Sequence, residues 1–339
     1  MTLRLRDLVD IPVSSYDLIG EVAIVWIPDE YMHKAPEVAE AIMKIHKRIK
    51  AVYRKNPVEG EYRVRKLELI GGEPIEETEV KEHGIRMRLN VHKVFYSPRM
   101  ATDRWEVAKK VKPYERVLVP FAGIGPYALL IAKQEPTAQV VGIELNPDAV
   151  KYFEENIKLN KLTNVKVIQG DAAQEILNWR RWADRIVMPI PMYAEHFLKP
   201  ISEAVSKRTY IYVYLFVDAK NPLEEGKKKI EEALGMPFVV VSYRKLRSYS
   251  KEVDEYVFEI MTSEDFHPKA KLREQFVQYL RGKGEKPSLE YKIVDLEKTP
   301  LEKLPDIKRT TDFLIGVWKR KWNPGVDYVL EAISKEELP

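Results

Sequence analysis

From Arg116 to about residue 217 the chain alternates short runs rich in β-branched residues with stretches of helical spacing. No other feature restricts the fold as strongly. RVLVPF (116–121), VVGIEL (140–145), VKVIQGD (165–171), RIVMPI (185–190) and TYIYVYLFV (209–217) read as buried strands. Pro126 to Lys133 and Pro147 to Leu159 read as helices, the second with Asn146 as N-cap and Pro147 at its first position. Strands joined through helices require crossover connections, so the sheet is parallel and the fold class is α/β, doubly wound. FVVVSYRKL (238–246) and EYVFEIM (255–261) form a closing strand pair around RSYSKEVD.

Ahead of this unit, residues 1–92 read as a small α/β domain. Tyr16 to Ile27 is one strand-like run, Ala35 to Lys50 is a helix opened by Pro36, and GEYRVRKLELI and GIRMRLNVHKVFY are β-rich. On a strand Arg63 and Arg65 share a face. Residues 93–264 hold the doubly wound domain, and 265–339 form a C-terminal extension. That extension carries a helical stretch at Lys271–Arg281, a Gly/Lys/Pro linker and the patch WKRKW at Trp318–Trp322.

Composition removes several chemistries. The 339 residues contain no cysteine, which excludes disulfides, thiolate metal sites and Cys nucleophiles and favours a reducing compartment. No apolar run reaches the roughly 18 to 20 residues of a membrane span, and the N-terminus lacks a signal-peptide core, so a cytoplasmic protein is expected. Six scattered histidines show no ligand spacing, and no metal is predicted. There is no G-x-S-x-G and no G-x-x-x-x-G-K-[ST]. A net charge of +4 is too mild to demand a polyanion partner, although RKLRSYSK and WKRKW are candidate phosphate contacts.

The first strand of the doubly wound unit runs into Phe121-Ala122-Gly123-Ile124-Gly125-Pro126. Two glycines after a parallel strand make a tight turn and let a ligand approach the backbone. Glu144 ends the second strand, 21 residues beyond Gly123, where a carboxylate accepts hydrogen bonds from both ribose hydroxyls of an adenosine cofactor. Asp171 ends the third, within reach of the adenine edge. Gly123, Gly125 and Ala128 satisfy the dinucleotide fingerprint G-x-G-x-x-G/A, so a nicotinamide oxidoreductase competes. Pro126 removes a helix N-terminal donor that a pyrophosphate would use, and S-adenosylmethionine has no pyrophosphate. Upstream, Arg99 could pair with a cofactor carboxylate and Asp103 could act as a base, or the two could be a surface ion and a helix cap. Met188-Pro189-Ile190-Pro191 follows the fourth strand, where the transferred group would lie. Tyr210, Tyr212 and Tyr214 alternate on one strand and read as sheet packing.

GEYRVRKLE, VFYSPR, PFAGIGP, IELNPDAVKYFEENIKLNK and the late RSY segment resemble the archaeal and eukaryotic tRNA (guanine-37-N1) methyltransferases, including their wyosine-pathway relatives. The resemblance covers roughly residues 14 to 262. It implies a class I, Rossmann-type methyltransferase domain behind a small RNA-contacting α/β domain. The implied cofactor is S-adenosylmethionine, the partner is tRNA, and the expected state is a monomer. By matching position, Arg63 falls on the arginine that stabilises charge on the guanine, and Asp103 falls where the family has a glutamate general base. Arg99, Phe121, Gly123, Gly125, Glu144, Asp171 and Pro191 fall to the cofactor, and Tyr96, Arg65 and Pro189 to the substrate.

Three departures bear on the substrate. Asp103 is one methylene shorter than the family glutamate, in a site intolerant of ångström displacements. The family N-L-P is here Pro189-Ile190-Pro191, so Pro189 stands in place of an asparagine that contacts the target base. Substitution there also marks wyosine-branch members. The separate N-terminal domain with which many members check the tRNA elbow is absent from this reading. A wyosine intermediate, another RNA base, and a catalytically silent RNA-binding protein therefore remain alternatives to methylation of guanine N1.

Overall fold

The computed structural model describes residues 4–13, 15–59, 64–190 and 192–262, with the side chains of 57–59 and 65 outside that set. It also describes the backbone of 291–294, 314–320 and 328–333. The chain divides into two compact units, Met1–Thr262 and Ser263–Pro339.

The first unit opens with a four-stranded sheet in the order β1 (Tyr16–Ile19), β2 (Val22–Val25), β3 (Ala51–Glu59), β4 (Val64–Gly72). The expected single strand from Tyr16 to Ile27 is a hairpin instead. Gly20 takes φ +59°, and Ile19 pairs with Val22 across the reversal. A Cβ at Gly20 would lie 2.1 Å from Thr78 Oγ1, so the close approach requires glycine as well. Helix α1 (Ala35–Ile45) packs against β3 and β4 and ends five residues short of Lys50. His46 leaves helical geometry there, and its Nε2 lies 2.8 Å from Tyr16 Oη. Strand β3 escaped the sequence reading because Pro57 interrupts it. Pro57 falls where the β3–β4 register shifts, between Lys55 and Val58, and a bulge of this kind tolerates proline.

A two-stranded hairpin follows, β5 (Glu77–Glu82) and β6 (Ile85–Asn90), and then a short helix α2 (Ala101–Ala108). The doubly wound part comprises β7 (Arg116–Pro120), α3 (Pro126–Gln134), β8 (Gln139–Glu144), α4 (Pro147–Leu159), β9 (Val165–Gln169) and α5 (Ala172–Glu175). It continues with β10 (Ala183–Met188), α6 (Ala194–Ser202), β11 (Val205–Asp218), α7 (Pro222–Leu234), β12 (Phe238–Ser248) and β13 (Val253–Thr262). Its seven strands lie in the order β9-β8-β7-β10-β11-β13-β12. Strands β9 to β11 are parallel neighbours, and β13 runs antiparallel between β11 and β12. This is the Rossmann-type α/β fold. Strand order reverses between β7 and its neighbours β8 and β10, which puts the ligand crevice above the carboxyl end of β7. Asn146 caps α4 as expected, its Oδ1 accepting from Asp148 N at 3.0 Å.

The hairpin β5–β6, which the expected boundary at residue 92 puts in the small domain, is bonded on both sides: Glu21 N–H of the β1–β2 turn donates to Thr78 Oγ1 at 3.0 Å, and further bonds go to α4. Asn156 Oδ1 accepts from Arg88 N at 2.7 Å while its Nδ2 donates to Arg88 O at 3.1 Å. One helical turn later Asn160 repeats the pattern on Arg86, at 2.9 and 2.6 Å. Two amide side chains at i and i+4 thus occupy the ladder positions a third strand would take. Tyr152 Oη donates to Glu77 at 2.7 Å, and Asn146 Nδ2 donates to Lys93 O at 2.9 Å.

The second unit contains β14 (Tyr291–Val294), β15 (Leu314–Arg320) and β16 (Tyr328–Ile333), with β15 parallel to β14 and antiparallel to β16. Trp318 to Arg320 of the WKRKW patch lie on β15; Lys321, Trp322 and the expected helix at Lys271–Arg281 lie outside the described residues. Among the described residues, no helix is long and apolar enough to cross a membrane.

The asparagine ladder yields a test. Asn156 is fully buried, and Asn156→Ala strands the Arg88 N–H and C=O together with the Ile124 carbonyl that Nδ2 also meets at 3.3 Å. The expected loss is about 2 to 3 kcal/mol, against about 1 kcal/mol for Asn160→Ala, where water can replace the amide. Urea unfolding with unchanged m-values reads the difference, and equal losses would contradict a ladder anchored at Asn156.

Candidate active site

The turn after β7 is built from three left-handed residues, Phe121 (φ +59°), Gly123 (+57°) and Gly125 (+91°). Glu144, at the carboxyl end of β8, holds it closed. Gly123 N–H donates to Oε2 at 2.7 Å and Asn146 N–H donates to Oε1 at 2.8 Å. A carboxylate offers about four acceptor sites, so beside its backbone donors it can still accept from the ribose. Burial raises the Glu144 pKa above the ordinary 4.5, against the opposing pull of the backbone donors at Asn146, Gly123 and Leu145.

The two glycines serve different ends. A Cβ at Gly125 would enter the Phe153 ring at 2.4 Å, and one at Gly142 would strike the same ring. Gly125 is therefore a packing requirement. A Cβ at Gly123 would meet only Phe95 O, at 3.9 Å, leaving space in which a ligand can lie along the backbone. Phe121 borders this space and packs edge-on against Phe197, with ring centroids 4.6 Å apart. Asp171, at the end of β9, N-caps α5 through Oδ1, which accepts from Ala173 N at 2.9 Å. The groups present suit an adenosine cofactor without pyrophosphate: Glu144 and Asp171 at adjacent strand ends, open space at Gly123, and Pro126 at the first helical position.

Asp103 lies in the first turn of α2 and is only 2% exposed. Its Oδ2 accepts from Tyr127 Oη at 2.5 Å and from Tyr214 Oη at 2.6 Å, while Oδ1 accepts from Arg244 Nη2. Tyr127 sits two residues past Gly125, so one hydrogen bond separates Asp103 from the helix that opens at the turn. Burial pushes both phenols well above their usual pKa, and the neighbouring Asp103 charge adds to the shift.

Other expected site residues are placed differently. Arg99 donates through Nε to Asp17 Oδ1 on β1 at 2.5 Å; it ties the small sheet to the segment before α2 rather than presenting that nitrogen to a cofactor carboxylate. Tyr96 is buried, not poised for substrate. Its hydroxyl donates to Glu82 at 2.7 Å, beside Arg104, which is itself buried and bound to Glu82 at 2.6 Å. Pro189 sits at the centre of a tight turn closed by Ile190 N–H donating to Met188 O at 2.8 Å. Arg65 lies on β4 with its side chain outside the described residues, and Arg63 and Pro191 are outside them entirely.

Nothing in the sequence placed Tyr127, Tyr214 and Arg244 beside Asp103. A signal existed for Tyr214: a buried tyrosine needs a partner for its hydroxyl, and its alternation with Tyr212 put both phenols on one face. Arg244 lies in RKLRSYSK, read as a candidate phosphate contact, and no local signal marked it as a partner for a buried carboxylate.

The description "TRM5/TYW2 methyltransferase domain" matches residues 78–239, and "TYW2 N-terminal domain" matches residues 4–75. The tRNA (guanine(37)-N(1))-methyltransferase Trm5b of Pyrococcus abyssi is 40% identical over 256 residues, covering 72% of this chain and 76% of that protein. The chain belongs to the TRM5/TYW2 methyltransferase family. Within it, the tRNA (guanine(37)-N(1))/4-demethylwyosine(37)-methyltransferase Taw22 of Nanoarchaeum equitans is 34% identical, covering 65% of this chain and 89% of that one. The crystal structure of Trm5b from Pyrococcus abyssi superposes with a TM-score of 0.69 at 38% identity, covering 77% of this chain and 81% of that one. The Methanocaldococcus jannaschii TYW2 structure in complex with AdoMet gives 0.56 at 26% identity, covering 74% and 99%. The methyltransferase-domain match begins at residue 78, one residue into β5.

Two outcomes follow from the turn. Gly125→Ala should abolish cofactor binding or folding, whereas Gly123→Ala should cost about 1 to 2 kcal/mol for its backbone conformation; calorimetry and thermal melts separate them, and the reverse order would refute the packing account. The second concerns pH. Glu144 must be ionised to accept from ribose, and its folded pKa is raised, so cofactor affinity should fall on acidification from a pH above 4.5. By the same sign, the group's own contribution to the stability of the ligand-free fold declines as pH rises through that window. Titration calorimetry from pH 7 to 4 should show the loss, with Glu144→Gln flat over the range.

Proposed function

We propose that the chain is an S-adenosylmethionine-dependent tRNA methyltransferase that methylates N1 of guanine 37, working in the cytoplasm as a monomer without a metal. The observation that carries the reading is the Trm5b relationship, 40% identity over three-quarters of an enzyme of that name, joined to the Glu144-braced turn. Gly123, Gly125, Glu144 and Asp171 would hold the cofactor, with Phe121 and Pro191 against it and Arg99 nearby. When bound, S-adenosylmethionine supplies an activated methyl group.

The chain's own residues have three tasks. They orient guanine N1 toward that methyl, remove the N1 proton, and stabilise charge on O6. Asp103 accepts the proton, and Arg63 hydrogen-bonds O6 as charge develops. Arg65 and Pro189 would serve the target nucleotide, while Tyr96 acts from beneath by holding Glu82 and Arg104 in place. Phosphate contacts come from the basic residues of β12.

A second reading has its own support. The N-terminal match is to TYW2, the Nanoarchaeum relative is named for both guanine and 4-demethylwyosine, and Pro189 stands where the guanine-specific pattern has asparagine. Methyl transfer to unmodified tRNA and to tRNA carrying 4-demethylwyosine, read by mass spectrometry of the nucleosides, separates the two.

Asp103→Asn should lower turnover by about 10² to 10⁴ while leaving cofactor affinity intact. Near-wild-type turnover in a radiolabelled transfer assay would remove Asp103 from the chemistry. Faster N1 methylation by Asp103→Glu would support the guanine reading, and a loss would favour a different base or atom.

A further inference from the structure

Three donors hold the carboxylate that should take the proton, two on Oδ2 and one on Oδ1. Both donors on Asp103 Oδ2 are phenols of buried residues, Tyr127 at 4% exposure and Tyr214 at 0%, each fixed in the packed core between α3 and β11. Neither can leave. The donor on Oδ1 is different in kind: the Arg244 side chain is 41% exposed, against 3% for that of Asp103. It reaches inward from β12, the edge strand of the seven-stranded sheet, and among Asp103's three donors it alone extends to solvent.

We propose that Arg244 is a positioning residue that covers the base until tRNA docks, then transfers its guanidinium to an RNA phosphate and uncovers Asp103 Oδ1. The proposal rests on the methyltransferase reading above. A guanidinium gives up a carboxylate readily only to another anion of matching geometry, and a phosphate accepts the same two-pronged contact. The surroundings supply a track for such a backbone. Arg247 lies on the same face of this strand as Arg244, its side chain 48% exposed and anchored on the buried carboxylate of Glu255, while Lys245, 46% exposed and anchored on Asp254, faces the other side of the edge. Tyr249, just beyond them, is 68% exposed. Close to Arg244 on α2, Glu106 adds a second negative group that keeps the guanidinium in place before phosphate arrives.

The exchange ties chemistry to recognition. A free nucleoside offers no backbone phosphate to draw Arg244 away, so Asp103 stays covered and the nucleoside is not methylated. Reciprocity follows as well: whatever docking must spend to separate Arg244 from Asp103 is recovered if Asp103 loses its charge.

The test measures tRNA dissociation constants by fluorescence anisotropy across a salt series, with steady-state methyl transfer on the same proteins. Arg244→Gln keeps reach but not charge. It should flatten the log Kd against log[salt] slope by about 0.7 to 0.9, one phosphate contact, and raise KM for tRNA roughly tenfold, with a smaller change in kcat. Arg244→Lys should restore the slope. Asp103→Asn should bind tRNA roughly three- to tenfold more tightly than wild type while its turnover collapses. A residue that merely supported the fold would move neither the slope nor the affinity of Asp103→Asn. Cofactor titration and thermal melts confirm that each variant is folded. An unchanged slope in Arg244→Gln, or no tightening in Asp103→Asn, overturns the proposal. Failure of wild type to methylate any tRNA would instead overturn the functional reading, which the salt series on Arg244 does not depend on.

Discussion

Helix α2 carries two adjacent residues of opposite charge, Asp103 and Arg104, and both are about 2% exposed. A lone charge at that depth costs several kcal/mol, so each must find a partner, and two neighbours on a helix point in different directions. Arg104 turns to the hairpin, where it meets Glu82, Tyr96 and the Ser97 carbonyl. Asp103 turns to the main sheet, where Tyr127, Tyr214 and Arg244 receive it. One short helix thereby locks the hairpin and the sheet into a single geometry. The cofactor turn, ending two residues before Tyr127, is held against the same anchor.

The lower end of the sheet repeats this arrangement with the signs reversed. Arg185, also 2% exposed, is held by Glu115 at 2.7 Å and donates to Tyr212 Oη at 2.8 Å. Tyr212 in turn donates to Glu259, which also receives Lys110 and Ser242. Burial opposes ionisation of Glu259, yet its three donors hold its pKa below the usual range. Lys110 and Asp103 sit at opposite ends of the α2 region, so the two networks grip the segment before β7 at both ends. Strand β11 contributes a tyrosine to each, which is why its aromatic alternation is more than packing.

The patterns between Arg116 and Val217 were readable because the central parallel strands are apolar on both faces and α3 and α4 each open on a proline, Asn146-Pro147 being the clearer start, whereas α6 and α7 were not assigned from sequence. Gly123, Gly125 and Glu144 could be read for a related reason: their roles follow from position along the chain. The hairpin at Gly20 was hidden because Tyr16–Ile27 is apolar at most positions and a single glycine is weak punctuation. Strand β3 was hidden by a proline that a bulge accommodates. Arg99, Tyr96 and Arg244 belong to a third kind. Their partners, Asp17, Glu82 and Asp103, lie 82, 14 and 141 residues away, and no local pattern encodes which cation a buried carboxylate will collect.

The asparagine ladder between α4 and β6 has an evolutionary consequence. Asn156 and Asn160 bind only the main chain of Arg88 and Arg86, and those two side chains point away from the helix toward Glu79 at the surface. The docking is therefore blind to which amino acids occupy positions 86 and 88. Those sites can drift in size and charge, and so retune the outer face of the hairpin, while the framework beneath the cofactor turn stays as it is.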